Sequence, residues 1–255
     1  MDALLFAFRY YTNFPLPRES KWDEKTAAAS LSWLPLTGLA VGLCLAALAV
    51  FYQNTDFPRY PALKALLIMA MEMWVGGALF VDGFSKTCDG VFSGLGPKRS
   101  LELMQGGSLG VKGALSLAFA FAAKLCLLAE LSLHGDLLFL ALFYPCWGRW
   151  AVSFAISYYP VAAEEGMAYF FKVGQKQTYI ILSSVFMLMV LLLMPGYFYL
   201  AALVSLFVVF FCCNLIQARF GGQSLDTYGL AAVTAELSFL LFAAVSGEVF
   251  RMIGA

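Results

Sequence analysis

This chain has 255 residues, 62% of them hydrophobic and only 13% charged, with 16 basic side chains against 16 acidic ones, far from the roughly quarter-charged composition of soluble domains. A net charge of zero and the lack of any basic block argue against a nucleic-acid partner. The apolar runs are continuous and about 20 residues long, unlike the alternating stretches of about 10 residues that build barrels, so the reading is an all-α, polytopic integral membrane bundle.

In chain order, residues 1–29 read as an interfacial N-terminal segment of a single membrane domain, 1–255. Residues 1–14 are amphipathic, with Phe6, Phe8, Tyr10 and Tyr11 as an aromatic anchor. Arg9, Asn13, Pro15 and Pro17 interrupt this stretch and argue against a cleavable signal peptide. Seven spans follow, at 30–51, 62–81, 112–133, 136–157, 178–194, 197–217 and 228–249. The fifth and sixth meet at Pro195-Gly196, a turn signal, and a six-span count with a re-entrant helix is the alternative.

Eleven basic residues flank one face, namely Arg9, Arg18, Lys21, Lys25, Lys86, Lys98, Arg99, Lys112, Lys172, Lys176 and Arg219; the other face has only Arg59, Lys64 and Arg251. That asymmetry predicts a cytoplasmic N-terminus and an external C-terminus. All the polar segments, 15–29, 82–111, 158–177 and 218–227, then share the cytoplasmic face, with 82–111 as the motif loop. His134, the only histidine, falls on the opposite face and reads as an ordinary loop residue. No internal repeat supports an inverted-repeat transporter. Cys44, Cys126, Cys146, Cys212 and Cys213 lie in apolar runs and Cys88 in the motif, with no spacing for zinc or a disulfide framework.

Asp82-Gly83 and Asp89-Gly90 sit at the mouth of the second span. Two carboxylates beside an apolar run point to a divalent cation that holds phosphate groups at the membrane surface. On a continuous helix the two acids share a face but stand about 10.5 Å apart, too far for one Mg²⁺. Either the glycines break the helix and bring the acids together, or each acid serves a different ion, or the acids merely cap helix ends. Lys86 lies between them and opposes metal binding. Deeper in the spans, Glu72, Lys124 and Glu236 need partners, and Glu72 with Lys124 is the expected pair. Glu164 and Glu165 fit a solvated loop as well as they fit a site.

Phe80–Gly90 resembles the His-Leu-Asp-Gly-Leu-Ala-Asp-Thr-x-Asp-Gly motif of the cobalamin synthases, the adenosylcobinamide-GDP ribazoletransferases. The likeness continues in order through Val91–Ser93, Leu101–Met104, Leu109-Gly110 and Gly113, Gly148–Trp150, Glu164–Gly166 and Gly221–Gly229, and Asn13–Arg18 and Leu34–Gly38 are similar to that family's opening. The resemblance implies a multi-pass protein of the bacterial inner membrane with its motif loops in the cytoplasm. It implies that adenosylcobinamide-GDP is joined to α-ribazole or its 5′-phosphate with release of GMP and help from Mg²⁺. On that resemblance Asp82 and Asp89 are catalytic and ligate Mg²⁺, Asp226 and Glu102 are further catalytic residues, and Arg149, Lys86 and Thr87 contact substrate. For Arg149 a helix-to-helix tether is the alternative. Expected partners are the two substrates, the lipid bilayer, and cobalamin-assembly enzymes or a second copy.

The chain departs from that pattern at several polar positions. Lys86 stands for the middle Asp, Phe80 for the leading His, and Gln105–Ser108 for a Lys/Arg-Asp-Ser-Arg run. Ala163 replaces a basic residue, Leu225 a glycine and Val233 an acid, while Glu236 keeps one. These changes leave open a second reading, a catalytically degenerate relative that binds a corrinoid or a partner protein, and a third, a small transporter.

Overall fold

The structure is a computed structural model that describes residues 2–16, 22–55, 59–133 and 135–254; Pro17, Arg18, Lys21 and His134, named above, lie outside them. Helices follow the apolar runs and their punctuation. α1 (Asp2–Tyr11) is short, and α2 (Glu24–Ser30) starts where the Asp23 carboxylate accepts the Thr26 N–H at 2.9 Å. α2 runs through a 3-10 turn at Leu31–Trp33 into α3 (Leu34–Asn54). Then come α4 (Pro61–Gly76), α5 (Leu79–Phe92), α6 (Pro97–Gln105), α7 (Val111–Leu133), α8 (Leu137–Tyr158), α9 (Gly166–Val173), α10 (Gln177–Leu192), α11 (Tyr197–Phe220) and α12 (Leu225–Gly254). Proline opens α4 and α6 within the first turn, where its missing N–H costs nothing. Among the described residues the only β-type pairing is an isolated bridge between Val161 and Gln223.

Five helical stretches are long and apolar enough to cross a membrane, and two bent pairs, α4 with α5 and α9 with α10, raise the number to as many as seven. The all-α membrane bundle expected from composition is the architecture found. α8 is its central post, with 78% of its best apolar window buried. α3 packs on α8 with almost no gap, since a Cβ on Gly38 would stand 2.5 Å from the Pro145 carbonyl oxygen and one on Gly42 2.7 Å from that of Leu142. Small residues spaced by four let backbones touch in this way, which replaces the hydrophobic drive that lipid removes. α7 is the opposite case: Leu115 and Phe119 are among its exposed apolar side chains, the surface that a lipid-facing helix presents.

The structure corrects three expectations. The second span does not run to residue 81: α4 stops at Gly76, Gly77 takes a positive φ of 74°, and α5 leaves at 99°. The glycine permits a positive-φ, extended backbone that side chains disfavour and that hydropathy does not register. The segment 82–111 is not one loop, because α5 and α6 occupy most of it. The aromatic anchor of the N-terminus faces protein rather than lipid. Phe6 is 1% exposed and makes edge-to-face contacts with Trp22 and with Phe171 of α9, and Tyr11 lies parallel to Phe80 of α5.

Candidate functional site

The motif helix α5 is unbroken, and its glycines serve packing instead of bending. A Cβ on Gly83 would meet the Asp226 carbonyl oxygen at 2.7 Å, and Gly229 of α12 is pressed in turn against the Phe80 carbonyl oxygen and the Phe84 N–H. The two backbones therefore cross in contact, which carries Asp226, in the first turn of α12, to the side of Lys86 and Asp82. Gly90 plays the same part toward α6, where a Cβ would meet Met104 at 2.6 Å.

The two motif acids have different surroundings. Asp89 is buried, and its two carboxylate oxygens accept the backbone N–H groups of Gly110 and Gly113, each at 2.7 Å. It closes the N-terminus of α7 from another helix, satisfying donors that the helix cannot bond itself. Asp82 is half-exposed, and its Oδ2 accepts the Lys86 ammonium at 2.6 Å.

Lys86 and Asp226 line a pocket of about 310 Å³ between α5, α6, α9 and the start of α12. Gln105, Glu165, Gln223 and Ser224 supply the rest of its polar lining. The N-termini of α9 and α12 both open on it, and helix starts carry exposed N–H groups and partial positive charge. Ser224 and Thr227 cap α12 reciprocally, the Thr227 Oγ1 accepting the Ser224 N–H at 2.8 Å. Glu165 makes no side-chain cap for α9. Tyr10 of α1 lies nearby: burial first, then the Asp226 carboxylate, pushes its phenol up to about 12. Four positions that break the resembled pattern, Lys86, Gln105, Ala163 and Leu225, converge on this one pocket.

Several sequence-named residues lie elsewhere. Thr87 is fully buried and donates its hydroxyl to the Gly83 carbonyl at 2.8 Å, so it holds its own helix and does not line the pocket. Glu102 is exposed on α6 and, unlike Leu101, Met104 and Gln105, does not line the pocket either. Arg149 is 3% exposed, donates to the Pro145 carbonyl one turn back on its own helix at 3.2 Å, and lies over the Phe80 ring of α5. It borders a second cavity of about 50 Å³ with Glu72, Lys124 and Glu236. There Lys124 bonds Glu72 and Glu236, each at 2.8 Å, and Tyr144 donates to Glu72 at 2.9 Å. The expected Glu72–Lys124 pair is present, with Glu236 as its unforeseen third member. Gln223 and Ser224 line the pocket without having been singled out as site residues, although both stand inside the Gly221–Gly229 motif that carries the resemblance.

A divalent ion held jointly by Asp82 and Asp89 does not fit these residues. The unbroken helix keeps the acids two turns, about 10.5 Å, apart. Asp89 is engaged by two N–H groups and Asp82 by an ammonium. At an effective dielectric near 20, an ammonium about 4 Å from a divalent ion opposes it by about 8 kcal/mol. Among the described residues no group of three or more His, Cys, Asp or Glu is placed to hold a metal.

A family model described as cobalamin-5-phosphate synthase matches residues 3–244. A protein of Citrobacter koseri named adenosylcobinamide-GDP ribazoletransferase is 32% identical over 248 residues, covering 94% of this chain and 99% of its own. Proteins of the same name from Shigella dysenteriae serotype 1 and Shigella flexneri are 32% and 30% identical over the same shares. No solved structure matches the chain.

Proposed function

Because the chain belongs to the cobalamin-5-phosphate synthase family, we propose that it is an adenosylcobinamide-GDP ribazoletransferase that works from the cytoplasmic face of a bacterial inner membrane. A hydroxyl oxygen of α-ribazole, or of its 5′-phosphate, forms a bond to the corrinoid-side phosphorus. The bond from that phosphorus to the bridging oxygen breaks, GMP leaves with the bridging oxygen, and the hydroxyl proton passes to a carboxylate. Asp226 is the proposed acceptor, half-buried at the pocket wall and next to a lysine. The Lys86 ammonium and the start of α9 face the phosphates, and orientation in such a pocket supplies most of what phosphoryl transfer needs.

The observation that carries this reading is the convergence of Lys86, Asp226 and two helix N-termini on one pocket in a chain matched from residue 3 to 244. The cytoplasmic side is supported by the eleven-to-three excess of basic residues on the face that bears the pocket segments. The test is purified protein in lipid nanodiscs supplied with adenosylcobinamide-GDP, α-ribazole and Mg²⁺, scored by GMP release together with the joined corrinoid. Expected is turnover that falls by about a hundredfold or more in Asp226→Asn, as general bases contribute. Hydrolysis to GMP without a joined corrinoid would sink the reading. For the side, Gln105→Cys should react with an impermeant maleimide in inside-out vesicles and resist it in right-side-out ones.

A further inference from the structure

We propose that the ammonium of Lys86 is the resident cation of the pocket and binds the diphosphate of the substrate directly, in the position where a divalent metal would otherwise be gathered. The proposal rests on the transferase reading and names how its site holds phosphate.

The geometry behind it is local. Lys86 stands one turn after Asp82 on α5 and makes a 2.6 Å contact to Oδ2, which occupies one of its three N–H donors. Its side chain is 22% exposed and lines the pocket, whereas the Asp82 side chain is 55% exposed. An incoming phosphate can therefore draw the ammonium inward while water takes over Asp82, with no buried carboxylate left unpaired. Asp226 approaches the lysine from α12, so the ammonium is flanked by carboxylates from two helices. That is a cation position by electrostatics, and the chain fills it covalently.

Two features complete an anion site around it. α9 begins at the pocket edge with no side-chain cap from Glu165, leaving first-turn N–H groups of Gly166, Met167 and Ala168 for a ligand oxygen. Gln223, 1% exposed, lines the same pocket; its Nε2 donates to the Cys213 carbonyl at 3.0 Å, while its Oε1 has no partner. An unpaired acceptor beside a phosphate site calls for a ligand with a hydroxyl or amine next to its phosphates, as a nucleoside diphosphate ester has. Asp89, the other acid that a metal would require, is already the cap of α7. The chain's own charge thus performs what a bound ion performs elsewhere: it neutralises the diphosphate and stabilises the departing GMP phosphate.

The test uses the full chain in nanodiscs. Mn²⁺ is titrated and followed by electron paramagnetic resonance in the wild type, Lys86→Asp and Asp82→Asn. Wild-type protein is expected to show no Mn²⁺ site, and Lys86→Asp to gain one at least about tenfold tighter than any in the wild type. Binding of adenosylcobinamide-GDP is measured in EDTA. Wild type and Lys86→Arg should bind within about threefold of each other, and Lys86→Met about tenfold or more weakly, as expected for losing a charge-assisted hydrogen bond. A stoichiometric wild-type Mn²⁺ site that Asp82→Asn removes would overturn the proposal. So would substrate binding that EDTA abolishes and Mg²⁺ restores, an outcome that leaves the transferase reading intact. Absence of adenosylcobinamide-GDP binding with and without Mg²⁺ overturns both.

Discussion

Two lysines in this protein each stand between two carboxylates, and their surroundings make them opposites. Lys124 bonds Glu72 and Glu236 at 2.8 Å on either side, with side-chain exposures of 10%, 14% and 9% across the three residues. Arg149 lies close enough to Glu236 to act on its charge, so the four charges cancel inside the bundle. Lys86 bonds Asp82 at 2.6 Å, faces Asp226, and opens on a pocket. The buried cluster spans α4, α7 and α12, with Arg149 of α8 beside it, and its lysine is saturated by the two carboxylates. The pocket cluster has an ammonium with unused donors and a carboxylate with water around it. Composition is the same in both; burial separates a structural triad from a reactive one.

The widest break in the comparison comes from Lys124→Met. Removing the cation leaves two carboxylates facing each other among helices, which costs about 3–5 kcal/mol for a broken buried pair. Thermal unfolding in nanodiscs should show that loss, and adding Glu72→Gln and Glu236→Gln should recover most of it. A variant as stable as wild type would mean that the triad is not structural. Next in size is Gly83→Ala, whose Cβ would stand 2.7 Å from the Asp226 carbonyl and force α12 away from α5. Overpacking of this kind costs about 1–3 kcal/mol. Because it displaces Asp226 from Lys86, turnover should fall further than stability does, by up to about a hundredfold for a shift near 1 Å. Equal losses in both would detach the helix crossing from catalysis.

Asp89→Asn belongs between the two clusters, since Asp89 carries a motif position but is wired like the buried triad. An amide retains one acceptor oxygen for the N–H groups of Gly110 and Gly113 and turns an NH₂ toward the other, a loss of about 1–3 kcal/mol. The expectation is a lower melting temperature with unchanged KM for both substrates. A raised KM at wild-type stability would return Asp89 to the reacting centre.

How far the sequence could foresee this contrast depends on distance along the chain. Span positions were readable because lipid leaves the backbone one option, and a charge at membrane depth demands a partner, so Glu72 with Lys124 could be paired in advance. Glu236 was recognised as an acid but not as the third partner, because it reaches Lys124 from a helix 112 positions later. The bend after Gly76 was invisible, since hydropathy stays high through Val81 while one positive φ redirects the chain. α5 looked like a loop because two glycines and five polar or charged residues, Asp82, Ser85, Lys86, Thr87 and Asp89, interrupt it. Each glycine costs a helix about 1 kcal/mol, and here close crossing with α12 and α6 offsets that cost. Asp89 was assigned to a metal for the same reason: its true partners, Gly110 and Gly113, lie 21 and 24 residues on, and nothing local announces them.

Asp82→Asn is the smallest change in stability and the finest probe of the difference between clusters. A half-exposed pair spaced by four on a helix is worth about 0.3–0.5 kcal/mol, so the melting temperature should move by no more than a degree or two. The effect should appear in binding instead. Asp82 holds Lys86 back from the pocket, and an uncharged amide at that position holds it less. If the ammonium is the phosphate anchor, Asp82→Asn should bind adenosylcobinamide-GDP as well as wild type or a few-fold more tightly, and any difference between the two should shrink at high salt. A carboxylate needed for a metal predicts the reverse, a collapse of affinity on its removal. Calorimetric titration of the two proteins separates these signs, and the equivalent substitution in the sealed triad, Glu72→Gln, should change stability and leave substrate affinity where it was.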